Sequence, residues 1–265
     1  MEISTELISA ILPILIGALG IAYGLATNAT LKRVIKVAQA YDYYFQGAAE
    51  YYFNFLIGRD MAAMRCPVCD HDNYKSFSKQ DVDYFRCVKC NTIYSKPLAQ
   101  ENKVGGDSYE NRKEQNQDRI ERFKSMGVTS LIDFGCGHGE LLEDMANTGI
   151  QAFGYDKYNE DYAIMPKVKV DCVSMIEVME HLTSPFEELN VIVGALKPNG
   201  LLYIETSFAD FLDMSSDYID PVKGHCTIFS YASMDFLMKQ KGFVLDKIIN
   251  RNTRVYKLME VKDEK

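Results

Sequence analysis

Residues 131–145 of this 265-residue chain, LIDFGCGHGELLEDM, constrain its fold more than any other stretch. The apolar run TSLIDF predicts a buried strand with Asp133 at its end, and GELLEDMAN predicts a helix with its apolar residues on one side. Between them, Gly135, Gly137 and Gly139 allow a sharp turn that brings backbone N–H groups against a ligand. This order predicts an α/β domain that binds a dinucleotide, a phosphate or S-adenosylmethionine at the turn.

The residue at position 140 separates these three ligands. A dinucleotide fingerprint, G-x-G-x-x-G, requires a glycine there, and the chain has Glu140. A carboxylate in the first turn of the helix repels a pyrophosphate but is compatible with a sulfonium ion. No Gly-Lys-Ser/Thr follows the glycines, which excludes a P-loop. The loop therefore favours S-adenosylmethionine.

A second acid follows the next predicted strand. QAFGYD ends in Asp156, 21 residues after Gly135, where a carboxylate can accept both ribose hydroxyls. With Leu131, Ile132 and Asp133 before the glycines, the sequence resembles the class I S-adenosylmethionine-dependent methyltransferases over about residues 105–261. The resemblance implies a Rossmann-like doubly wound sheet with an antiparallel C-terminal hairpin. It also implies a set of cofactor-binding residues: Asp133, Gly135, Cys136, Gly137, Gly139, Asp156 and Glu177.

Downstream motifs extend the resemblance. DCVSMIEVMEHLTSP is similar to the fourth-strand motif of methyltransferases that include the ubiquinone and menaquinone biosynthesis enzymes, with Glu177, Glu180 and His181 in the matching places. LKPNGLLYIET resembles the Pro-x-Gly turn and fifth strand, and GHCTIFSYASMDFLMKQKGF the segment with the last helix. The final FVLDKIINRNTRVYKLMEV resembles the hairpin that closes the seven-stranded sheet of the family.

One interval departs from the family pattern. Only 14 residues separate Asp156 from Asp171, too few for the usual second helix and third strand. The acid that normally contacts adenine after that third strand has no clear counterpart. We expect Asp161 or Met165 to lie near the adenine pocket.

The resemblance also indicates catalytic residues, because methyl transfer to a weak nucleophile needs a base with a pKa near neutrality. His225 is the first candidate, since its loop lies where family members close over the acceptor. His181 is the second, as a residue that braces the helix after the fourth strand or contacts substrate. For each histidine, a purely structural hydrogen-bonding role is the alternative.

Four cysteines precede this domain with the spacing C-x2-C-x17-C-x2-C, which is typical of a four-thiolate zinc site. The predicted ligands are Cys66, Cys69, Cys87 and Cys90. A site closed by four thiolates leaves no position for water, so the zinc is expected to be structural. The residues after each pair, Asp70 and Asn91, suit a turn with positive φ. We expect a zinc ribbon over residues 63–98, and this ribbon makes the chain similar to methyltransferases of bacterial polysaccharide and sugar-modifying gene clusters.

The first 62 residues predict attachment to a membrane. Residues 7–31 carry no charge, and at ~1.5 Å per residue such a helix can cross a ~30 Å hydrocarbon core. Lys32, Arg33 and Lys36 follow it, so the positive-inside rule puts the catalytic domain in the cytoplasm. We predict a single-pass anchor over residues 1–31 and an aromatic juxtamembrane helix over 32–62. A cleaved signal peptide and a buried helix are the alternatives.

Charge and composition narrow the partners. A net charge of −8 and a pI near 5.1 argue against nucleic acid, which binds basic patches. Gly20 and Gly24 form a GxxxG spacing through which two anchors could pack into a homodimer. The sequence predicts a membrane-tethered methyltransferase acting on an oxygen or carbon of a small molecule, either a sugar or polysaccharide precursor or a lipid or quinone. The alternative is a non-catalytic, tethered zinc-ribbon binding protein with a degenerate cofactor domain.

Overall fold

The computed structural model describes residues 65–95 and 109–259. The chain divides into two compact units, Met1–Ala63 and Met64–Lys265, and the described residues all belong to the second. The predicted anchor over 1–31 and juxtamembrane helix over 32–62 lie outside the described residues. Within 65–95 and 109–259, no helix is long and apolar enough to cross a bilayer.

The cysteine-rich segment forms a small antiparallel sheet. Its first strands are β1 (Tyr74–Lys79), β2 (Val82–Cys87) and β3 (Ile93–Ser95). The turn between β1 and β2 consists of Gln80 at φ 50° and Asp81 at φ 62°. Two consecutive residues with positive φ are the geometry of a tight hairpin whose twist matches that of its strands.

A fourth strand joins this small sheet from the other end of the sequence. β8 (Thr227–Ile228) pairs antiparallel with β3, and the strand order is β1-β2-β3-β8. The sequence predicted a zinc ribbon over residues 63–98. The structure adds a strand to its sheet from the segment that contains His225, because β3 offers an unpaired edge that a neighbouring strand can hydrogen-bond.

The larger domain alternates strands and helices. Its helices are α1 (Tyr109–Ser125), α2 (Glu140–Met145), α3 (Pro185–Ala195) and α4 (Tyr231–Gln240). Its strands are β4 (Ser130–Phe134), β5 (Gln151–Tyr155), β6 (Val170–Ile176), β7 (Leu196–Glu205), β9 (Phe243–Ile248) and β10 (Thr253–Leu258). Two short 3-10 turns, Met179–His181 and Ala209–Phe211, follow β6 and β7.

These strands form one mixed sheet in the order β5-β4-β6-β7-β10-β9. Strands β4 to β7 are parallel, and β10 runs antiparallel to both β7 and β9. The predicted Rossmann-like sheet with its antiparallel C-terminal hairpin is confirmed. In the described chain no strand lies between Asp156 and β6, so the sheet has six strands and β5 forms its edge.

Burial on both faces explains why β4 reads as a continuous apolar run. Leu131 packs into one core cluster with Phe123 of α1, while its neighbour Ile132 packs into the other cluster with Val173 of β6. A parallel strand covered on both sides has no polar face, so the usual alternation is lost. The order of strands reverses beside β4, and its carboxyl end is therefore a switch point where ligands bind in such folds.

Candidate active site

The glycine loop leaves β4 at this switch point. Gly135, Gly137 and Gly139 have φ values of 83°, 57° and 86°, a region that favours glycine. A Cβ on Gly135 would collide with the side chain of Val178, and one on Gly139 would collide with the ring of Tyr162. The loop therefore requires glycine for both conformation and space, as the spacing predicted.

Asp156 is hydrogen-bonded directly to this loop. Its Oδ2 accepts from the main-chain N–H of Gly137 at 2.9 Å, and its Oδ1 accepts from the N–H of Tyr158 at 2.8 Å. Asn159 adds a second link, because its Nδ2 donates to the carbonyl of Gly137 at 2.7 Å. The sequence linked the glycine loop to Asp156 only through the family resemblance. In the structure the two are hydrogen-bonded to each other.

Asp133 lies beneath the loop rather than on the cleft surface. It is 5% exposed, and its Oδ1 accepts from Ser174 Oγ at 2.7 Å. Burial raises the pKa of Asp133 to about 6, and the nearby charges of Asp156 and Glu140 also raise it. The hydrogen bond from Ser174 and the charge of Arg119 lower it. Of the residues predicted to bind the cofactor, Cys136 is also buried, with its Sγ close to where a Cβ on Gly154 would lie. The two residues support the cleft from below.

The residues around the loop fit S-adenosylmethionine. Arg112 pairs with Glu140 at 2.8 Å, yet its buried Nε has no hydrogen-bond partner among the described residues. An unsatisfied guanidinium donor is costly unless a ligand completes it, and a carboxylate such as that of a methionine is its best partner. Arg112 for a carboxylate, the glycine loop and the Asp156 acceptor for a ribose together match an amino acid joined to a nucleoside.

Tyr162 is a cleft residue that the sequence did not indicate. In the short connection after β5, its carbonyl accepts from the N–H of Asp156 at 3.1 Å and its ring lies over Gly139 and Gly154. The only sequence signal was an aromatic residue in an unusually short interval. Asp161 is exposed and Met165 packs at the edge of the core, so their contact with adenine stays a prediction.

A cluster of ionisable side chains lies beyond β6. Glu180, His181 and His225 bring their potential ligand atoms within 4.8 Å of one another. Glu180 is fully buried, and its carboxylate accepts from Thr206 Oγ1 at 2.9 Å and from the Tyr218 hydroxyl at 2.5 Å. Two imidazoles and a carboxylate could hold a divalent metal ion or could move a proton.

The hydrogen bonds of the two histidines define their tautomers. His225 Nδ1 lies 2.6 Å from the carbonyl of Tyr218, and His181 Nδ1 lies 3.2 Å from the carbonyl of Gly224. A carbonyl only accepts, so each Nδ1 carries the hydrogen and each Nε2 of a neutral ring keeps its lone pair. Burial lowers the pKa of His225, although the negative charge of Glu180 acts to raise it. The structure brings the two predicted catalytic histidines together, with ring centroids 4.9 Å apart.

Glu177 links this cluster to the glycine loop. It has φ 53°, its N–H donates to the carbonyl of Glu205 at 2.8 Å, and the next residue, Val178, packs against Gly135. The Tyr218 hydroxyl lies 3.3 Å from its Oε2. Although the side chain reaches solvent in the cleft, desolvation and then the charge of Glu180 raise its pKa to about 9.

The cysteine-rich sheet holds the segment that carries His225. Tyr84 of β2 donates from its hydroxyl to the carbonyl of His225 at 2.9 Å, and the N–H of Ser95 donates to the carbonyl of Cys226 at 2.9 Å. Each contact joins residues far apart in the sequence. Local patterns therefore gave no sign of them.

Arg86 extends this support along the same segment. Its Nη2 donates to the carbonyl of Ala209 at 2.6 Å and its Nη1 to the carbonyl of Leu212 at 3.1 Å. Asn91, which follows the second cysteine pair, accepts from Arg86 Nε at 2.7 Å. Through Arg86, the turn after the second cysteine pair is thereby connected to residues 209–212, which follow β7.

The four cysteines lie as a metal site requires. Cys66 and Cys90 have sulfurs 3.5 Å apart, and the sulfurs of Cys69 and Cys87 are 3.6 Å apart. Zn–S bonds of ~2.3 Å in a tetrahedron separate sulfurs by ~3.8 Å. Asp70 and Asn91 have φ values of 55° and 60°, as expected of the turn after each pair. The sulfur geometry fits zinc and excludes disulfides, whose S–S distance is ~2.05 Å.

A cavity of about 330 Å³ opens on the other side of Glu177. It lies between α1, the end of β7 and the turn from β9 to β10. Its polar lining includes Gln115, Arg119, Arg122, Glu205, Arg251 and Thr253. No sequence pattern predicted this cavity, because its walls come from three segments that are far apart along the chain.

Comparison with known proteins agrees with this geometry. A family profile described as a methyltransferase domain matches residues 109–248, more than half of the chain. The ubiquinone biosynthesis O-methyltransferase of Hydrogenovibrio crunogenus is 27% identical over 111 residues, which cover 33% of this chain and 46% of the relative. The corresponding enzyme of Bradyrhizobium diazoefficiens is 27% identical over 109 residues, covering 33% of this chain and 43% of its own. The chain thus spans less than half the length of these curated relatives.

Matches to solved structures were also found. A SAM dependent methyltransferase from Archaeoglobus fulgidus is 27% identical, with a TM-score of 0.40 over 51% of this chain and 69% of that one. An O-methyltransferase family protein from Burkholderia thailandensis is 14% identical, with a TM-score of 0.45 over 57% of this chain and 58% of that one.

Proposed function

Because the chain belongs to the class I S-adenosylmethionine-dependent methyltransferase family, we propose that it transfers a methyl group from S-adenosylmethionine to an oxygen or carbon of a small-molecule acceptor. The observation that carries this proposal is the 2.9 Å hydrogen bond between the N–H of Gly137 and Asp156. This hydrogen bond joins the glycine loop to the acid expected to bind ribose. Both follow the carboxyl ends of the parallel strands β4 and β5, where ligands bind in such folds.

The cofactor would be held by residues on three sides of the cleft. Asp156 would accept the ribose hydroxyls, the loop from Gly135 to Gly139 would line the nucleoside, and Arg112 would receive the methionine carboxylate. When bound, S-adenosylmethionine supplies a methyl group on a positively charged sulfur. The protein contributes mainly by holding the acceptor ~3–3.5 Å from that methyl group, since proximity and orientation account for much of such catalysis.

His225 is the proposed general base. Its Nδ1–H is held by the carbonyl of Tyr218, which leaves Nε2 as the proton acceptor. Tyr218 and Glu180 fix the position of this loop, because the Tyr218 hydroxyl donates to Glu180 at 2.5 Å. His181, hydrogen-bonded to Gly224, is proposed to orient the acceptor or to assist the base.

The ribbon is proposed to bind one structural zinc ion through Cys66, Cys69, Cys87 and Cys90. Support comes from their sulfur spacing and from the two positive-φ turns that aim each pair at one point. Four thiolates leave no open position, so this metal would not take part in the reaction. Its role would be to keep the ribbon folded, and thereby to hold the segment that carries His225.

The methyl acceptor is proposed to be held at a membrane. The uncharged run over residues 7–31 supports a single-pass anchor with the catalytic domain in the cytoplasm. An anchored enzyme suits an acceptor held at the bilayer, such as a lipid-linked sugar or a quinone. The ribbon favours a sugar or polysaccharide precursor. Full activity on a soluble nucleotide sugar after deletion of residues 1–60 would count against membrane tethering as a requirement.

The missing third strand favours one alternative. In the described chain, residues 157–169 contain no strand, and family members normally bind adenine there. A protein with such a reduced domain could bind the cofactor without turnover and act as a tethered binding protein. Transfer of a radiolabelled methyl group from S-adenosylmethionine to any component of a cell extract would exclude this alternative.

The direct test uses purified protein. Calorimetric titration with S-adenosylhomocysteine, the demethylated product, is expected to show saturable binding at one site per chain. Incubation of extracts with labelled S-adenosylmethionine should then label a small molecule. If the protein binds neither the cofactor nor its product, the enzyme proposal fails.

A further inference from the structure

Within the cavity beside Glu177, one pair of opposite charges is already satisfied. Arg119 binds both oxygens of Glu205, and its Nη1 donates to Asn116 at 2.8 Å. The pair of Arg119 and Glu205 therefore contributes little net charge. Asp118 also lines the cavity, but its side chain is 74% exposed and is screened by water.

Two guanidinium groups remain available. Arg122 makes one hydrogen bond, from Nη1 to the Tyr203 hydroxyl at 3.1 Å, and its carboxylate neighbours are as far as 4.0 Å away. The guanidinium of Arg251 has no ion pair or hydrogen bond with any described residue. The cavity thus presents two guanidinium groups that no described carboxylate approaches more closely than 4.0 Å.

A buried hydroxyl gives an independent sign of a polar ligand. Thr253 lines the same cavity and is 1% exposed, and its Oγ1 has no hydrogen-bond partner in the described part of the chain. A buried hydroxyl without a partner costs about 1–3 kcal/mol, and a turn of the Thr253 side chain toward the cavity would let a ligand or an ordered water satisfy it. Two guanidinium groups and one hydroxyl-bearing residue therefore line the same cavity.

The cavity lies next to the active-site cluster, and two residues of its lining, Glu177 and Glu205, connect the two. Glu177 lines the cavity and lies 3.3 Å from the Tyr218 hydroxyl. Glu205 also lines it, and the next residue, Thr206, donates to Glu180. A molecule seated in the cavity would thus extend toward His225. At about 330 Å³ the cavity is large enough for a small ligand.

From these contacts we infer that the cavity binds an anionic group of the methyl acceptor, a phosphate or a carboxylate, between Arg122 and Arg251, with Thr253 donating to the same ligand. This inference rests on the proposed methyl transfer and names the class of its acceptor. Planar guanidinium groups bind both anions through paired hydrogen bonds, so the two sources share one recognition chemistry. An uncharged acceptor would leave both guanidinium groups unused.

The test measures anion binding separately from cofactor binding. Full-length protein saturated with S-adenosylhomocysteine is titrated calorimetrically with inorganic phosphate and, in a second arm, with acetate, at ionic strength held constant with chloride. We expect saturable binding in at least one arm, and the stronger arm identifies the anion. Arg122→Gln and Arg251→Gln should each weaken it roughly tenfold or more, since hydrogen bonds to a charged group contribute about 1.5–3 kcal/mol.

Lys247→Gln is the matched control. It removes one positive charge from the same hairpin, on the exposed face of β9 and away from the cavity lining. Wild-type protein that binds S-adenosylhomocysteine but neither anion would overturn the inference and leave the proposed function intact. Equal weakening by Lys247→Gln and Arg251→Gln would also overturn it, because the effect would then come from bulk charge. Failure to bind S-adenosylhomocysteine would instead contradict the proposed function.

Discussion

The hydroxyl of Tyr84, in the ribbon, donates a 2.9 Å hydrogen bond to the main-chain carbonyl of His225, in the active-site cluster. Both residues are buried, and 140 intervening residues separate them along the chain. The cysteine-rich sheet and the loop that carries His225 are therefore parts of one packed structure. Changes in the ribbon should be felt at the acceptor side of the site and not at the cofactor side.

Tyr84→Phe tests this coupling. Phenylalanine keeps the ring that stacks on Phe77 at 5.6 Å but leaves the carbonyl of His225 without its donor. We expect the free energy of unfolding to fall by about 1–2 kcal/mol. The affinity for S-adenosylhomocysteine should stay within about twofold of wild type, and kcat should fall several-fold.

Chemical denaturation, calorimetry and turnover together measure these three effects. Tyr158→Phe, at an exposed tyrosine, is the control and should change none of them. A drop in cofactor affinity as large as the drop in kcat would contradict the division between the two sides.

The double substitution Cys66→Ser, Cys87→Ser removes one ligand from each cysteine pair. Because structural zinc provides about 10–16 kcal/mol of apparent binding free energy, its loss should unfold the ribbon. Metal analysis is expected to find about one zinc per chain in wild type and none in the variant. Hydrogen exchange should increase in residues 74–95 and in 209–230, which the ribbon holds.

The same exchange experiment contains its own control. Residues 130–156, with β4, the glycine loop and β5, belong to the larger sheet and not to the cysteine-rich one, and should keep their protection. Substitution of Cys172, a buried core cysteine, by Ala should leave zinc content unchanged. Full zinc content in the double variant would show that the four thiolates are not the metal site.

Sequence patterns predicted the parts of the site that depend on local geometry. The spacing of the glycines predicted the loop, because its positive φ values favour glycine. The spacing of the cysteines predicted a metal site, because each pair turns two sulfurs toward one point. Asp156 followed from its place at the end of a short apolar run. The absence of a third strand could be counted directly from the interval to Asp171.

Long-range contacts were out of reach of the same reasoning. β8 has only two residues, Thr227 and Ile228, and no periodicity reveals that its partner is β3. Glu180 was indicated only by its place in the fourth-strand motif, and its complete burial depends on hydrogen bonds from Thr206 and Tyr218. Such pairs appear only when the chain is folded, because residue type alone does not specify a distant partner.

Asp133 provides a prediction on pH. Its folded-state pKa of about 6 lies above the ordinary value of 3.8, so the folded protein favours the neutral acid. As pH rises, Asp133 loses its proton at a lower pH in the unfolded chain than in the folded protein. The contribution of Asp133 to the free energy of unfolding is therefore lost as pH rises from about 4 to about 6. Asp133→Asn keeps an acceptor for Ser174 and does not ionise. Above pH 6 it should exceed wild type in unfolding free energy by on the order of 2 kcal/mol.

Denaturant titrations of both proteins between pH 4 and pH 7.5 measure this difference. Taking the difference cancels the titration of every other group, and the gap should widen as pH rises. A gap that is constant across the range, or that narrows toward neutral pH, would mean that Asp133 is not desolvated as the structure indicates.

His225→Gln tests the proposed base. Glutamine can still donate toward the carbonyl of Tyr218 but cannot accept a proton at neutral pH. Labelled-methyl transfer to the acceptor found in extracts should fall about 10²–10⁴-fold. Affinity for S-adenosylhomocysteine should not change, and the same substitution at His71, which is half-buried and outside the cluster, should leave activity intact. Activity within tenfold of wild type would assign His225 a structural role.

Binding of S-adenosylhomocysteine to wild type and to Asp156→Ala, measured by calorimetry, tests the central claim most directly. Because Asp156 is the proposed ribose acceptor and is bonded to Gly137, its removal should weaken binding roughly tenfold to a hundredfold, equivalent to about 1.5–3 kcal/mol. Asp246→Ala, at an exposed acid on β9 and away from the proposed cofactor site, serves as the control and should bind within about threefold of wild type. Tight binding by wild type that Asp156→Ala leaves unchanged would mean that the nucleoside does not lie between the glycine loop and this acid.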